Sequence, residues 1–362
     1  MKERSTQIIG KSNTGKTRNI LFKEVENEIK NENDLLILDS KLEYYNHFKS
    51  ELDKNNYEVS VINFKEPLKS DGWDPLEYIN YLYDHDHKDK AIEIIKKMGL
   101  QIFKSNKNID PFWENSAADY FTGIIMTLLE ISKQEIKHGK SYCTFASIYN
   151  IMNQGEEQFK DSTYLKTYCN SLNTMSPTYM ALSTTINSPN ETKGSIISVV
   201  KQKLNTYFMR PELLNSFYEN GFSVGALTDR NNKKKCVFIV GYEPLNTLTN
   251  ILITFIYDSI IRTNKKMTFV LDGFDELPKL LDIESMINKA NEGNIKLFIT
   301  TRNIEKLSEL YDKYTFSNIE KTISLSDKFE CNEENITAQL PDEIIGTPTY
   351  INFKEYIEKN FK

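Results

Sequence analysis

Short apolar runs alternate with amphipathic stretches at both ends of the chain. Gln7–Ile9 runs straight into a loop rich in Gly, Ser and Thr, after which Ile20, Leu21, Val25 and Ile29 recur at helical spacing. Apolar residues three and four apart share one helix face, so this stretch predicts a helix. Leu35–Leu38 is a compact apolar run ending in Asp39, the pattern of a strand buried on both faces of a parallel sheet. Tyr44–Leu52 reads as a helix, and Tyr57–Phe64 alternates as another strand. Strand and helix in turn imply an α/β domain with a parallel sheet.

After Asp74-Pro75 the pattern changes. Residues 76–225 carry almost no strand signal, while helical periodicity marks Ala91–Phe103, Phe145–Asn153 and Ile196–Phe208. Asp110-Pro111 opens the most regular helix, through Trp113, Ala117, Phe121, Ile124, Leu128 and Ile131, to a stop near His138-Gly139. Proline at the first helical position needs no amide partner, so Asp-Pro is a start signal. Strands return with Cys236–Val240, Met267–Leu271 closed by Asp272, and Lys296–Thr300 before Arg302; Leu245–Ile261 supplies a crossover helix. The expected organisation is one α/β domain split into residues 1–80 and 232–326 around an all-α domain at 81–231. Residues 327–362 carry eight Asp/Glu against four Lys/Arg and few apolar positions, and are expected as a peripheral acidic tail.

At about 150 residues per domain, 362 residues suit two or three domains. The net charge of −6 does not advertise nucleic acid. No uninterrupted run of about 18 apolar residues occurs, and MKERSTQIIG lacks the apolar core of a signal peptide. The expectation is therefore a cytoplasmic chain without direct membrane insertion. Cys143, Cys169, Cys236 and Cys331 are widely spaced and form no CxxC pair, which suits a reducing compartment.

The loop Gly10-Lys11-Ser12-Asn13-Thr14-Gly15-Lys16-Thr17 matches GxxxxGK[ST] at every fixed position, between a strand and a helix. Backbone amides of such a loop and of the helix it opens can hold phosphate oxygens. Gly10, Ser12, Asn13, Thr14, Gly15 and Arg18 would form the cradle for ATP. Lys16 would reach the β- and γ-phosphates and Thr17 would ligate Mg²⁺. Phe269-Val270-Leu271-Asp272 is an apolar strand closed by a carboxylate, which would complete the metal site. Lys16 and Asp272 are 256 positions apart, whereas a βαβ unit needs about 30. The helical insertion thus sits between two halves of one nucleotide site.

Asp39-Ser40-Lys41-Leu42-Glu43-Tyr44 resembles the DPKGELY segment of TraG/TraD-type conjugative coupling proteins. Asp71-Gly72-Trp73-Asp74-Pro75-Leu76 and Asp110-Pro111-Phe112-Trp113-Glu114-Asn115-Ser116-Ala117 are similar to their RWNPL and FW segments. Leu271-Asp272-Gly273-Phe274-Asp275-Glu276-Leu277 resembles their LDEFxxL Walker B motif, and Arg302-Asn303-Ile304-Glu305-Lys306-Leu307 stands where they have QSxxQL. The ordered set covers residues 5–315. The resemblance implies a RecA-like P-loop NTPase sheet with an inserted all-α domain. It also implies a hexameric FtsK/HerA-type ATPase that recruits or translocates DNA, or a protein–DNA substrate, for a type IV secretion system. Its partners would be further copies of the chain, single- or double-stranded DNA, and membrane-embedded secretion components. The last would hold it at the inner face of the cell membrane.

Departures from the family pattern shape the expected chemistry. The family usually has N-terminal membrane helices, whereas this chain reaches its P-loop at residue 10 and reads as a shortened form. The family's catalytic glutamate is here Gly273, which has no group to polarise water. Asp275 and Glu276, with Asp39 and Glu43 at the neighbouring strand end, are the carboxylates at hand. ATP binding is expected well above efficient hydrolysis. The expected catalytic set is Lys16, Asp272, Glu276 and Arg302, the last sensing the γ-phosphate. Of only six arginines, Arg4, Arg18 and Arg302 lie near this site by sequence. Arg210, Arg230 and Arg262 remain as candidates for a guanidinium acting in trans.

Two other readings stand beside this one. LDGFDEL followed by FITTR also resembles STAND/NACHT signalling ATPases, which would make the chain a nucleotide-gated switch or docking module with little hydrolysis. Their spacing between the two Walker motifs is far shorter. A degenerate adaptor without ATP binding conflicts with the intact P-loop. Residues 160–211, with six Lys/Arg against two Asp/Glu, could track phosphates or simply face solvent. Asp84-His85-Asp86-His87 reads as a hydrated loop ahead of a metal site.

Overall fold

The computed structural model describes residues 4–104, 110–135, 143–217, 221–228, 233–312, 314–325, 340 and 351–361. The chain divides into two compact units, Met1–Gly72 with Gly221–Ile344, and Trp73–Asn220 with Ile345–Lys362. In the first unit the chain lays down β1 (Ser5–Ile9), α1 (Phe22–Lys30), β2 (Asp34–Leu38), α2 (Glu43–Lys54) and β3 (Glu58–Asn63). It then forms α3 (Glu77–Asp84), α4 (Lys88–Phe103), α5 (Pro111–Glu135), α6 (Phe145–Gln154) and a two-residue hairpin, β4 (Gln158–Phe159) with β5 (Ser162–Thr163). The second unit continues through α7 (Tyr164–Ser171), α8 (Pro177–Ile186), α9 (Asn190–Phe208) and α10 (Pro211–Ser216). The first unit resumes with β6 (Lys235–Val240), α11 (Asn246–Thr263), β7 (Met267–Leu271), α12 (Ile283–Glu292), β8 (Ile295–Thr301), α13 (Ile304–Leu310) and β9 (Lys321–Ser324). Finally α14 (Phe353–Asn360) returns to the second unit.

Seven strands form one parallel sheet in the order β3-β6-β2-β7-β8-β1-β9. Strands from both halves of the sequence interleave, so neither half can form the sheet alone. One face is covered by α1 and α2: Val25, Ile29, Phe48 and Leu52 close over Leu35, Ile37, Val61, Phe238 and Val270. On α11 every residue from Leu248 to Ile260 is buried, and Tyr257 sets its ring edge-on to Phe269 of β7 at 6.4 Å. Each large apolar side chain so buried contributes about 1.5–3 kcal/mol.

The second unit is built on α5, whose 25 residues pack against α4, α6, α8 and α9. Gly123 permits the close approach of α8, since a Cβ there would stand 2.6 Å from Leu182 Cδ2. The helical unit begins at Trp73 rather than 81. Trp73 and Leu76 are buried, and the Trp73 N–H donates to the Ser216 carbonyl at 3.1 Å. The far end also differs from the peripheral tail expected over 327–362. Ile351, Phe353 and Ile357 are buried, and Tyr164 Oη donates to Glu358 Oε1 at 2.6 Å. The predicted stop at His138-Gly139, Cys331 and most of the acidic stretch lie outside the described residues. Among the described residues no helix is long and apolar enough to cross a membrane.

Candidate nucleotide-binding site

Ligands of open parallel sheets sit beyond the carboxyl ends of the strands. Here the segments following β1, β2, β7 and β8, four neighbouring strands, surround a cavity of about 470 Å³. The Gly10 N–H donates to the Thr301 carbonyl at 3.1 Å, pinning the start of the loop to β8. Asn13 and Gly15 take left-handed φ values of 62° and 80°. At Gly15 a side chain would be strained and would meet Asn19. Lys16 Nζ donates to the carbonyls of Gly10 at 2.5 Å and Lys11 at 2.6 Å, so the loop curls around its own ammonium. Burial lowers the Lys16 pKa below the usual lysine value, against the opposing pull of Asp272 and with a push from Arg302.

Asp272, at the end of β7, gathers three hydroxyls. Thr17 Oγ1 donates to its Oδ2 at 2.6 Å, Tyr44 Oη to the same oxygen at 2.9 Å, and Thr300 Oγ1 to Oδ1 at 2.5 Å. Thr300 Oγ1 also accepts from the Gly273 N–H at 2.8 Å, locking the turn beyond the strand. A hydroxyl and a carboxylate are hard oxygen donors, so Thr17 and Asp272 fit Mg²⁺. Asp39, following β2, is buried and accepts from the Tyr45 N–H at 2.8 Å. Burial pushes its pKa to about 7 against the pull of the Tyr45 and Glu43 amides.

Arg302 stands beyond β8. Its backbone N–H donates to Asp275 Oδ1 at 3.1 Å, its Nε lies 3.9 Å from Asp275 Oδ2, and its Nη2 is ion-paired with Glu276 Oε1. Gly273 has φ +77° and leads into the short turn Phe274–Glu276 that presents both carboxylates.

Ser12, Asn13, Thr14, Gly15, Lys16, Thr17, Arg18, Asp272, Glu276 and Arg302 all line the cavity. Gly10 lies behind it and contributes its carbonyl to Lys16. Arg18 Nε is 4.0 Å from Glu43. Arg4 does not belong to the site. It precedes β1, a five-residue strand of about 17 Å, and its N–H donates to Glu320 at 2.6 Å. Nearness in sequence misled because the strand carries the chain across the sheet.

Arg262 is in the last turn of α11, and Arg210 of the second unit donates from Nε to the Thr206 carbonyl at 3.0 Å. Arg230 lies outside the described residues. Tyr44 and Thr300 are the residues that sequence reasoning passed over. Tyr44 showed only as the start of a helix and the end of a family-like segment, and Thr300 only as a polar end to an apolar strand. His85 Nδ1 lies 2.8 Å from the Tyr81 carbonyl. Among the described residues no group of three or more His, Cys, Asp or Glu is placed to hold a metal.

The family described as type IV secretory system conjugative DNA transfer matches residues 7–354. The chain belongs to that family. Solved coupling proteins share its fold. The bacterial conjugative coupling protein TrwBdeltaN70, in a trigonal form with sulphate, aligns with a TM-score of 0.61 at 12% identity. It covers 89% of this chain and 70% of its own. The plasmid coupling protein TrwB in complex with the ATP analogue ADPNP aligns at 0.58 and 13% identity, covering 87% and 68%. The same protein with ADP and Mg²⁺ gives 0.58 and 13%, covering 87% and 67%. The shared architecture is the α/β, RecA-like P-loop NTPase fold. No curated protein sequence matches the chain.

Proposed function

We propose that this protein binds ATP with Mg²⁺ in the cavity and hydrolyses it to recruit or translocate DNA, or a protein–DNA substrate, during conjugative transfer. The observation that carries this reading is the bond between Thr17 and Asp272. Two residues 255 positions apart meet at 2.6 Å beside a buried lysine, as two halves of a phosphate–metal site must. Family membership supports the transfer role, and the ADPNP and ADP–Mg²⁺ complexes of TrwB support the cofactors.

The chemistry follows from the residues in place. Amides of residues 12–17 hold phosphate oxygens, and Lys16 exchanges two carbonyl partners for β- and γ-oxygens. Thr17 and Asp272 would hold Mg²⁺, which when bound would supply positive charge against the phosphates. Arg302 faces the γ-phosphate from β8. The resemblance further implies a homo-hexamer, with Arg210, Arg230 or Arg262 as guanidinium candidates in trans, docked at the membrane through secretion components. DNA would run along the basic stretch 160–211, where Lys193 is already paired with Glu156 at 2.7 Å.

Calorimetry with a non-hydrolysable ATP analogue and Mg²⁺ tests the site. Lys16→Ala removes two charge-assisted contacts and should weaken binding about 100-fold. Undiminished affinity in that variant would sink the reading. Tight binding without turnover would instead favour the nucleotide-gated switch.

A further inference from the structure

Among the described residues four carboxylates line the cavity, and two of them, Asp272 and Asp39, accept hydrogen bonds. Asp272 accepts from three hydroxyls. Asp39 is buried in the cavity wall and holds the Tyr45 amide. Glu43 stands 4.0 Å from Arg18 Nε and 3.9 Å from Lys41 Nζ. Glu276 is the fourth, with its side chain 44% exposed and its Oε1 on Arg302.

Its other oxygen, Oε2, lies 3.4 Å from the position a Cβ on Gly273 would take. A glutamate's own carboxylate oxygens are three bonds from its Cβ, a comparable reach. Glu276 therefore holds its carboxylate within the reach that a glutamate at 273, next to Asp272, would have. The glycine makes room for it.

We propose that Glu276 is the general base for ATP hydrolysis and that Arg302 gates it. The proposal rests on the ATPase reading above. In the ion pair the guanidinium neutralises the carboxylate, which makes it a poor proton acceptor. A γ-phosphate offers the guanidinium a more highly charged partner and draws it off. Because the Arg302 amide stays on buried Asp275, the side chain can swing while its backbone is held. Glu276 then takes a proton from water as the water oxygen bonds to the γ-phosphorus. The bond from that phosphorus to the β–γ bridging oxygen breaks, and its electron pair leaves on the β-phosphate. ADP and inorganic phosphate result, and Glu276 returns its proton to solvent.

The test measures phosphate release by the full chain with ATP and Mg²⁺, alongside affinity for ADP and for a non-hydrolysable ATP analogue. Glu276→Gln should cut turnover by about 100-fold or more. The same variant frees Arg302, so it should bind the analogue about two- to fivefold more tightly and ADP unchanged, a shift that a structural role would not produce. Should it lose analogue binding altogether, Glu276→Asp decides: with its carboxylate set back, turnover should fall while binding is kept. Turnover within twofold of wild type in Glu276→Gln, or a loss confined to Asp39→Asn, overturns the base. Unchanged or weaker analogue affinity in a folded Glu276→Gln overturns the gate. Wild type that binds the analogue but releases no more phosphate than Lys16→Ala also overturns the base. Failure of wild type to bind the analogue overturns the ATPase reading itself.

Discussion

Tyr44 reaches Asp272 from the first turn of α2, its ring held edge-on against Phe22 at 5.0 Å. Tyr44→Phe keeps that packing and removes one of three hydroxyls that aim the carboxylate. The Mg²⁺ concentration for half-maximal nucleotide binding should rise about fivefold, the worth of about 1 kcal/mol, with metal-free affinity unchanged. A magnesium titration of wild type and variant checks this. Gly273 is equally specific. Its φ of +77° makes Gly273→Glu a strained substitution, costing about 1–2 kcal/mol, although its Cβ would only touch Glu276 Oε2, at 3.4 Å. Position 273 is therefore a left-handed turn as well as a missing carboxylate, so adding the carboxylate there does not simply restore one.

Asp74 belongs to the second unit. It is buried, accepts from the Leu76 amide at 2.7 Å and the Phe145 amide at 3.2 Å, and burial pushes its pKa to about 7. The folded state then keeps a proton that the unfolded chain releases near pH 4. This contribution is full below the unfolded value and is lost as pH rises through about 7. Thermal unfolding followed from about pH 5 to 8 should show the midpoint falling, and Asp74→Asn should flatten that slope. An unaltered slope would place the proton elsewhere.

At the scale of elements, burial decided what could be read. The central strands β2, β6 and β7 are covered on both faces, so their apolar runs stand out, and α11 is buried on all sides from Leu248 to Ile260. The edge strand β9, Lys321–Ser324, is largely exposed and left no apolar run to recognise. In α14, Phe353, Tyr356 and Ile357 share one face at helical spacing, but the acidic composition around them masked it. The P-loop and the β7 aspartate were legible because phosphate and metal chemistry fix residue type and spacing. The hydroxyls of Tyr44 and Thr300 were not, since their meeting at Asp272 depends on two strands and a helix coming together. Packing between helices is testable in the second unit. Gly123→Ala would force Leu182 to move and should cost about 1–3 kcal/mol in denaturant unfolding, with nucleotide affinity unchanged.

For the whole molecule, the interleaved sheet ties the two parts of the first unit into one folding problem. β6 lies between β3 and β2, while β7 and β8 lie between β2 and β1. A fragment of residues 1–72 therefore has no adjacent strand pair and should remain unfolded by circular dichroism. The same arrangement brings Thr17 of the loop after β1 against Asp272, 255 positions later.

The most direct measurement is the ATPase rate of wild type and Lys16→Ala, with and without single-stranded DNA, alongside particle mass in ATP. Wild type should hydrolyse ATP as a six-copy assembly and do so faster with DNA, while Lys16→Ala does neither. A wild-type monomer that binds ATP, shows no turnover and ignores DNA would contradict an ATP-driven role in transfer.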